Sequence, residues 1–309
     1  MRKTTFQLLF VSLTLLLFSV SCNEDNLQLT DNQNLISSCE CTSYLTENAG
    51  MPTFASVEDF RDAYNCLSQC HDNLLDEIDN QYPNITSDEY DDLVEQGVIN
   101  EWAAVDAFSD YGGYSSLLRK DLEIEDTWLV NGGAIKDAPE EVIIDNILKV
   151  MIDDNCNVKI NGEVINVCEN ITVEKSHWCT PYGGNSGFST SGNYRIRLSG
   201  KIYYIPVIGS VVSGKVTAYR MKNGKWKKNR ENLSVGATCN VRKSLINDCE
   251  FLTFAVTGFK GKKTKSLSVS KVNWLNTQIW HKDHFDPMNP NPDGLVDGSS
   301  DHVSAIIGF

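Results

Sequence analysis

Val158-Lys159-Ile160-Asn161-Gly162-Glu163-Val164-Ile165 is the stretch at which the chain changes period. Two short apolar-alternating runs flank Asn-Gly, the dipeptide that accepts positive φ at both centres of a two-residue turn, so 158–165 predicts a β-hairpin. Upstream of it apolar residues recur every three or four positions, and downstream they alternate. The fold class expected is therefore α+β. An acidic, mainly helical region ending in this hairpin is followed by an antiparallel β-sandwich or small barrel.

Working back from the hairpin, Asp137-Ala138-Pro139 opens a helix with Ile143, Ile147, Val150 and Met151 as its stripe. Ser115 to Lys120 predicts a short helix, and Tyr111-Gly112-Gly113-Tyr114 a turn before it. Asn100 to Phe108 reads as helical with Trp102, Val105 and Phe108 inward. Thr86-Ser87-Asp88-Glu89 caps a helix that Gly97 ends, and Ser56-Val57-Glu58-Asp59 caps a longer one over 57 to about 79. Phe60, Tyr64, Leu67, Leu74 and Ile78 are its buried face, and residues 51–60 lead into it as a short strand or turn.

Forward of the hairpin, Tyr194-x-Ile196-x-Leu198, the apolar run from Lys201 to Val212, Leu233-x-Val235, Phe251 to Thr257 and Leu267-x-Val269 read as strands. Asn223-Gly224 marks a second hairpin. Seven or eight short strands result, with the lysines of 222–228 and 260–265 at turns, where they guard strand edges.

The N-terminus sets the compartment. Arg2 and Lys3 precede an apolar run from Phe6 to Val20, too short to span a bilayer comfortably, and Ser19-Val20-Ser21-Cys22 follows. This ending resembles the lipobox of bacterial lipoproteins, with Ser19 where that family more often has Leu. The resemblance implies removal of residues 1–21, lipidation of Cys22 and a membrane partner reached through the lipid. Asn23-Glu24-Asp25 resembles the export tag of some Gram-negative surface lipoproteins, which implies an outer-membrane, surface-exposed location. Residues 22–50 then read as a polar tether. Phe54-x-Ser56-x-Glu58-Asp59-Phe60, the acidic helices and Val158-x-Ile160-Asn161-Gly162-x-Val164-Ile165 resemble a group of uncharacterised Gram-negative surface lipoproteins over roughly 51–170. That group has no activity to lend.

Charge divides the chain near residue 174. Residues 23–174 carry 33 acidic and 6 basic side chains, residues 175–282 carry 19 basic and 3 acidic, and the last 27 residues carry five Asp and no Lys or Arg. The regions expected are thus 51–174, acidic and helical, and 175–309, basic and β-rich with an acidic tail. Either the two parts dock on each other or the basic part meets an anionic glycan or partner protein. A surface anchor excludes nucleic acid as the expected partner.

Nine cysteines remain after Cys22, and export makes disulfides their expected state. Cys39 and Cys41 in an extended segment suit Cys66 and Cys70 on one helical face. Cys156 with Cys168, and Cys239 with Cys249, flank hairpins, and Cys179 is left over. Zinc at Cys66, Cys70 and His71 lacks the usual ligand spacing. Asn289, Asn291, Asp293 and Asp297 match the front of a calcium loop, and a structural Ca²⁺ is the only cofactor expected.

No catalytic set stands out. Gly184-Asn185-Ser186-Gly187 resembles the nucleophile loop of chymotrypsin-like proteases but lacks upstream His and Asp partners, so it reads as a turn. Cys249 and His302 resemble the Cys and His segments of cell-wall cysteine endopeptidases, which is the enzymatic alternative. His281, His284 and His302 have no general base beside them to make a zinc triad. Tyr203, Tyr204, Trp226, Trp274 and Trp280 read as core before a glycan platform. The expected function is non-enzymatic binding, adhesion or a structural role at the cell surface.

Overall fold

The Asn161-Gly162 turn takes φ of 53° and 82°, the left-handed pair that a two-residue hairpin needs. β1 (Thr53–Phe54) lies parallel to β2 (Asn157–Ile160), which pairs antiparallel with β3 (Glu163–Asn166). The computed structural model describes residues 40–170, 183–205, 207–245, 248–255, 260–274 and 294–308. Among them no helix is long and apolar enough to cross a membrane.

Four of the helices begin where a side chain satisfies an early amide. Ser56 Oγ accepts from Asp59 N ahead of α1 (Val57–Gln81), and Thr86 with Glu89 forms a full capping box ahead of α2 (Ser87–Glu95). α3 (Ala103–Gly112) ends on Gly113 in the left-handed conformation, and Ser116 caps α4 (Leu117–Val130), which runs ten residues beyond the expected end. The helix expected from Asp137 is reduced to α5 (Asn146–Val150), preceded by a 3-10 turn at Ile135–Asp137. The intervening backbone carbonyls of Pro139, Glu141 and Val142 accept from Arg197 and Lys201 instead of from helical amides. A final turn, α6, covers Val167–Asn170.

Ten strands follow among the described residues. They are β4 (Gly183–Ser191), β5 (Tyr194–Ile205), β6 (Gly209–Lys222), β7 (Lys225–Lys228), β8 (Glu231–Leu245), β9 (Asp248–Ala255), β10 (Lys260–Thr264), β11 (Ser266–Trp274), β12 (Gly294–Ser299) and β13 (Ser304–Gly308). One sheet has the order β11-β6-β5-β4 with β7 on β6, and the other β10-β8-β12-β13 with β9 on β8. Every neighbouring pair in both is antiparallel, and neither closes into a barrel.

Ile196, Leu198, Val212, Val216 and Ala218 of the first sheet share one core with Leu233, Val235 and Ala237 of the second. The period of two sends Arg195, Arg197, Ser199, Ser213, Lys215 and Thr217 to the other face, yet these are buried as well. A second core joins Phe60 and Leu67 of α1 and Phe108 of α3 to Val158 and Ile160 of the hairpin, and reaches Ile205 and Val211 of the first sheet. Acidic helices and basic strands accordingly belong to one compact unit, Cys39–Phe309. That unit includes part of the expected tether, since Glu40–Tyr44 form a 3-10 turn with Cys41 buried.

Candidate functional site

The basic strands meet the acidic helices through paired charges. Asp72, Asp76 and Asp79 form one stripe on α1 and pair with Lys260 at 2.6 Å, with Lys262 and with Arg230. On α2, Asp88 pairs with Lys222 at 2.9 Å and Asp91 with Lys265 at 2.6 Å. On α4, Glu125 and Asp126 share Lys228, and Glu125 also accepts from the Tyr219 hydroxyl at 2.5 Å. Of the turn lysines expected to guard strand edges, Lys222, Lys228, Lys260, Lys262 and Lys265 are therefore pairing partners of helices.

Beneath this rim lies a buried cluster. The fully buried Lys149 of α5 donates to Asp121 at 2.7 Å and Glu141 at 2.9 Å, and Lys215 of β6 reaches the same Glu141 oxygen at 2.5 Å. Burial opposes charge on Glu141, but Lys149 and Lys215 outweigh it and hold the carboxyl far below the usual carboxylate range. For Lys149 burial opposes the charge too, and Glu141 with Asp121 outweighs it, raising its pKa. Burial pulls Lys215 down despite its partner.

Beside that cluster a cavity of about 380 Å³ is lined by Glu140, Asn185, Ser186, Arg197, Ser199 and Lys201, among others. Arg197 is 5% exposed and donates Nη2 to the Pro139 carbonyl at 2.5 Å, and its Nε has no partner. Among the described residues no carboxylate lies within 4.0 Å of its guanidinium, which sits 5.6 Å from the Phe188 ring centre. Lys201 Nζ donates to the Glu141 carbonyl at 2.5 Å, with only the exposed Glu140 carboxylate near, at 3.9 Å. Burial lowers its pKa. The Gly-Asn-Ser-Gly stretch forms this wall as part of β4, a strand and not a turn, because it pairs with β5 from Gly184↔Lys201 to Gly187↔Leu198. A Cβ at Gly184 would stand 2.6 Å from Lys201 Cγ, so glycine is what lets that lysine lie across the strand.

A second cleft, about 570 Å³, lies between α1 and β11 and is lined by Tyr64, His71, Asp145, Asn146, Ser268 and Ser270, among others. His71 stacks on Trp102 at 4.6 Å, and burial lowers its pKa to about 4. Its Nδ1 and Asn146 Oδ1 are buried without hydrogen-bond partners.

Of the cysteines, Cys41 is bonded to Cys66 and Cys156 to Cys168. Cys70, also disulfide-bonded, places its sulfur 3.6 Å from that of Cys41. The sulfurs of Cys41, Cys66 and Cys70 cluster, but as disulfides they offer no thiolate for zinc beside His71. Cys22, Cys39 and Cys179 lie outside the described residues. β8 and β9 pair from Leu245↔Asp248 outward, so Cys239 faces Phe254 while Cys249 faces Ser244. Five residues out of step is about 17 Å along a strand, against a Cα separation below about 7 Å for a disulfide. This register corrects the Cys239–Cys249 pairing.

The same register separates the expected hydrolase pair. Ser299, just before His302, faces Ser234 of β8, whereas Cys249 faces Ser244, roughly 30 Å farther along that strand. His302 itself is exposed and stacks on Tyr194 at 3.6 Å. Of the calcium loop, Asn289, Asn291 and Asp293 lie outside the described residues, and Asp297 is mid-strand in β12, between Gly236 and Ile306. His281, His284 and Trp280 are outside as well, as are the side chains of Tyr203 and Tyr204. Trp226 is buried with the Arg195 guanidinium 3.9 Å from its ring centre, and Trp274 packs on Phe60 and Tyr64, so both are core. Arg197, Lys201 and Glu141 escaped the sequence reading, although cations at 195, 197 and 201 opposite Ile196 and Leu198 were a visible sign of a polar strand face.

No protein-family model matches the chain, and no curated protein matches it. A crystal structure of a DUF4848 family protein from Bacteroides thetaiotaomicron aligns with 86% of this chain and 99% of its own, at 11% identity and a TM-score of 0.19. A likeness that loose carries no argument about fold, ligand or activity.

Proposed function

We propose that this protein is a non-enzymatic binding protein, lipid-anchored through Cys22 at the outer-membrane surface, that takes the carboxylate of an acidic glycan at the Arg197–Lys201 cavity. The observation that carries the reading is the state of Arg197. Lys215, Lys222, Lys228, Arg230, Lys260, Lys262 and Lys265 each have a carboxylate from the helical part, so most of the positive charge facing the helices is internally balanced. Arg197, 5% exposed, has no carboxylate within 4.0 Å among the described residues, and only Glu141 acts on it from farther off. An unpaired buried charge is costly, and a bound anion supplies the missing partner. Guanidinium suits a carboxylate by geometry, and Lys201, Ser199 and Ser186 add donors along the same wall. The two five-stranded sheets, read as a β-sandwich, give the cavity a rigid strand floor.

Calorimetric titration with an oligo-uronate and with its neutral counterpart tests the reading. The uronate is expected to bind and the neutral sugar to fail at this site. Arg197→Met weakens uronate binding by about tenfold or more, since a hydrogen bond to a charged group is worth ~1.5–3 kcal/mol. Equal binding of both sugars, or an unaffected Arg197→Met, refutes it.

A further inference from the structure

We infer that the cleft between α1 and β11 is a second binding site, one for the hydroxyl groups of a small neutral sugar. This goes beyond the anion site and does not depend on it.

Three buried atoms of residues lining this cleft lack hydrogen-bond partners, His71 Nδ1, Asn146 Oδ1 and Asp72 Oδ1; the last is ion-paired with Lys260, which leaves two acceptors unmet. His71 Nδ1 is buried without a hydrogen-bond partner, and burial keeps the ring neutral. Stacking on Trp102 fixes the ring plane, and in the neutral Nε2–H tautomer Nδ1 is an acceptor. Asn146 is 4% exposed, and its backbone N–H donates to Ser268 Oγ at 3.4 Å while the side-chain Oδ1 is unpaired. Two acceptors at the wall of a polar cleft call for a ligand that donates.

The charges around them argue against an ion. Asp72 is held by Lys260 at 2.6 Å. Asp145 is 2% exposed and accepts from the Tyr64 hydroxyl at 2.7 Å and from Leu148 N at 3.0 Å. An anion would face Asp145, and an ammonium group would face Lys260. Hydroxyl groups donate to His71 and Asn146 and accept from the serines of β11, whose Ser268 and Ser270 also line the cleft.

The test is calorimetry of the full chain with glucose, galactose and mannose and with their disaccharides. At least one is expected to bind, and His71→Phe, which keeps a ring against Trp102, and Asn146→Ala each weaken it by about tenfold. Arg197→Met leaves this binding unchanged, which separates it from the anion site. Imidazole ¹⁵N spectra of the unsubstituted protein give the same answer without a variant, with the Nδ1 resonance moving on sugar addition. No binding by any neutral sugar, binding that survives both substitutions, or an Nδ1 resonance that does not move overturns the inference. Binding of a primary amine in place of sugars overturns it too.

Discussion

Glu141 holds two lysine ammonium groups on one carboxylate oxygen, inside a body where neither lysine has water to turn to. Glu141→Gln removes that charge and leaves Lys215 without its paired carboxylate, so a loss of ~3–5 kcal/mol in urea unfolding is expected. Stability should also fall in acid, with a definite order. His71 is neutral when folded, with its pKa lowered to about 4 from 6.5, so the unfolded chain binds its proton first. Its contribution is present above pH 6.5 and is lost as pH falls toward 4, by up to ~3 kcal/mol. Glu141, held far below the usual range, adds a further loss once pH passes below its unfolded value near 4.5. Comparing His71→Phe with the unsubstituted protein across this range isolates the first window, and an unchanged slope between pH 6.5 and 4 contradicts the account. None of this could be read from the sequence. Glu141 and Lys149 lie off the apolar stripe of the expected helix, and it is the strap they form over β5 and β6 that buries them.

Elements whose signals are local were legible. The capping box at Thr86 and Glu89, the Ser56 cap and both Asn-Gly turns form where the residues require them. Thr86→Ala is accordingly expected to cost ~1 kcal/mol by denaturant midpoint. Elements fixed by distant partners were not. The 137–151 stripe lost most of its helix because Arg197 and Lys201, some sixty residues away, take its carbonyls. The Cys239–Cys249 pairing fails because β8 and β9 pair from Leu245↔Asp248, a register that cysteine spacing does not reveal. The Cys41–Cys66 staple joins the 3-10 turn at Glu40–Tyr44 to α1 across 25 residues. Replacing both cysteines by alanine should lower stability by ~3 kcal/mol on a chain-entropy estimate. Replacing one alone frees a thiol within reach of Cys70, so the double variant is the clean comparison.

At the scale of the whole molecule, the charge asymmetry that looked like a partner-binding signal is mostly an assembly signal. Asp72, Asp76 and Asp79 present a stripe that basic strands cover, and the sequence displayed that stripe without showing what would cover it. Since the acidic and basic parts share a core and a buried ion cluster, they should unfold together, in one transition by tryptophan fluorescence and far-ultraviolet dichroism. Two separated transitions would show independent domains. Exposed pairs such as Lys222–Asp88 contribute little, so added salt should shift that transition only slightly. Among the described residues the pairing leaves both Arg195 and Arg197 buried without a carboxylate, and the functional account rests on Arg197 because it lines the cavity. The most direct measurement is a crystal structure of the protein with an oligo-uronate. The account predicts a carboxylate within hydrogen-bond distance of the Arg197 guanidinium and Lys201 Nζ, against β4. Uronate bound instead at the exposed Lys225 and Lys227 turn, with the Arg197 cavity vacant, would contradict it.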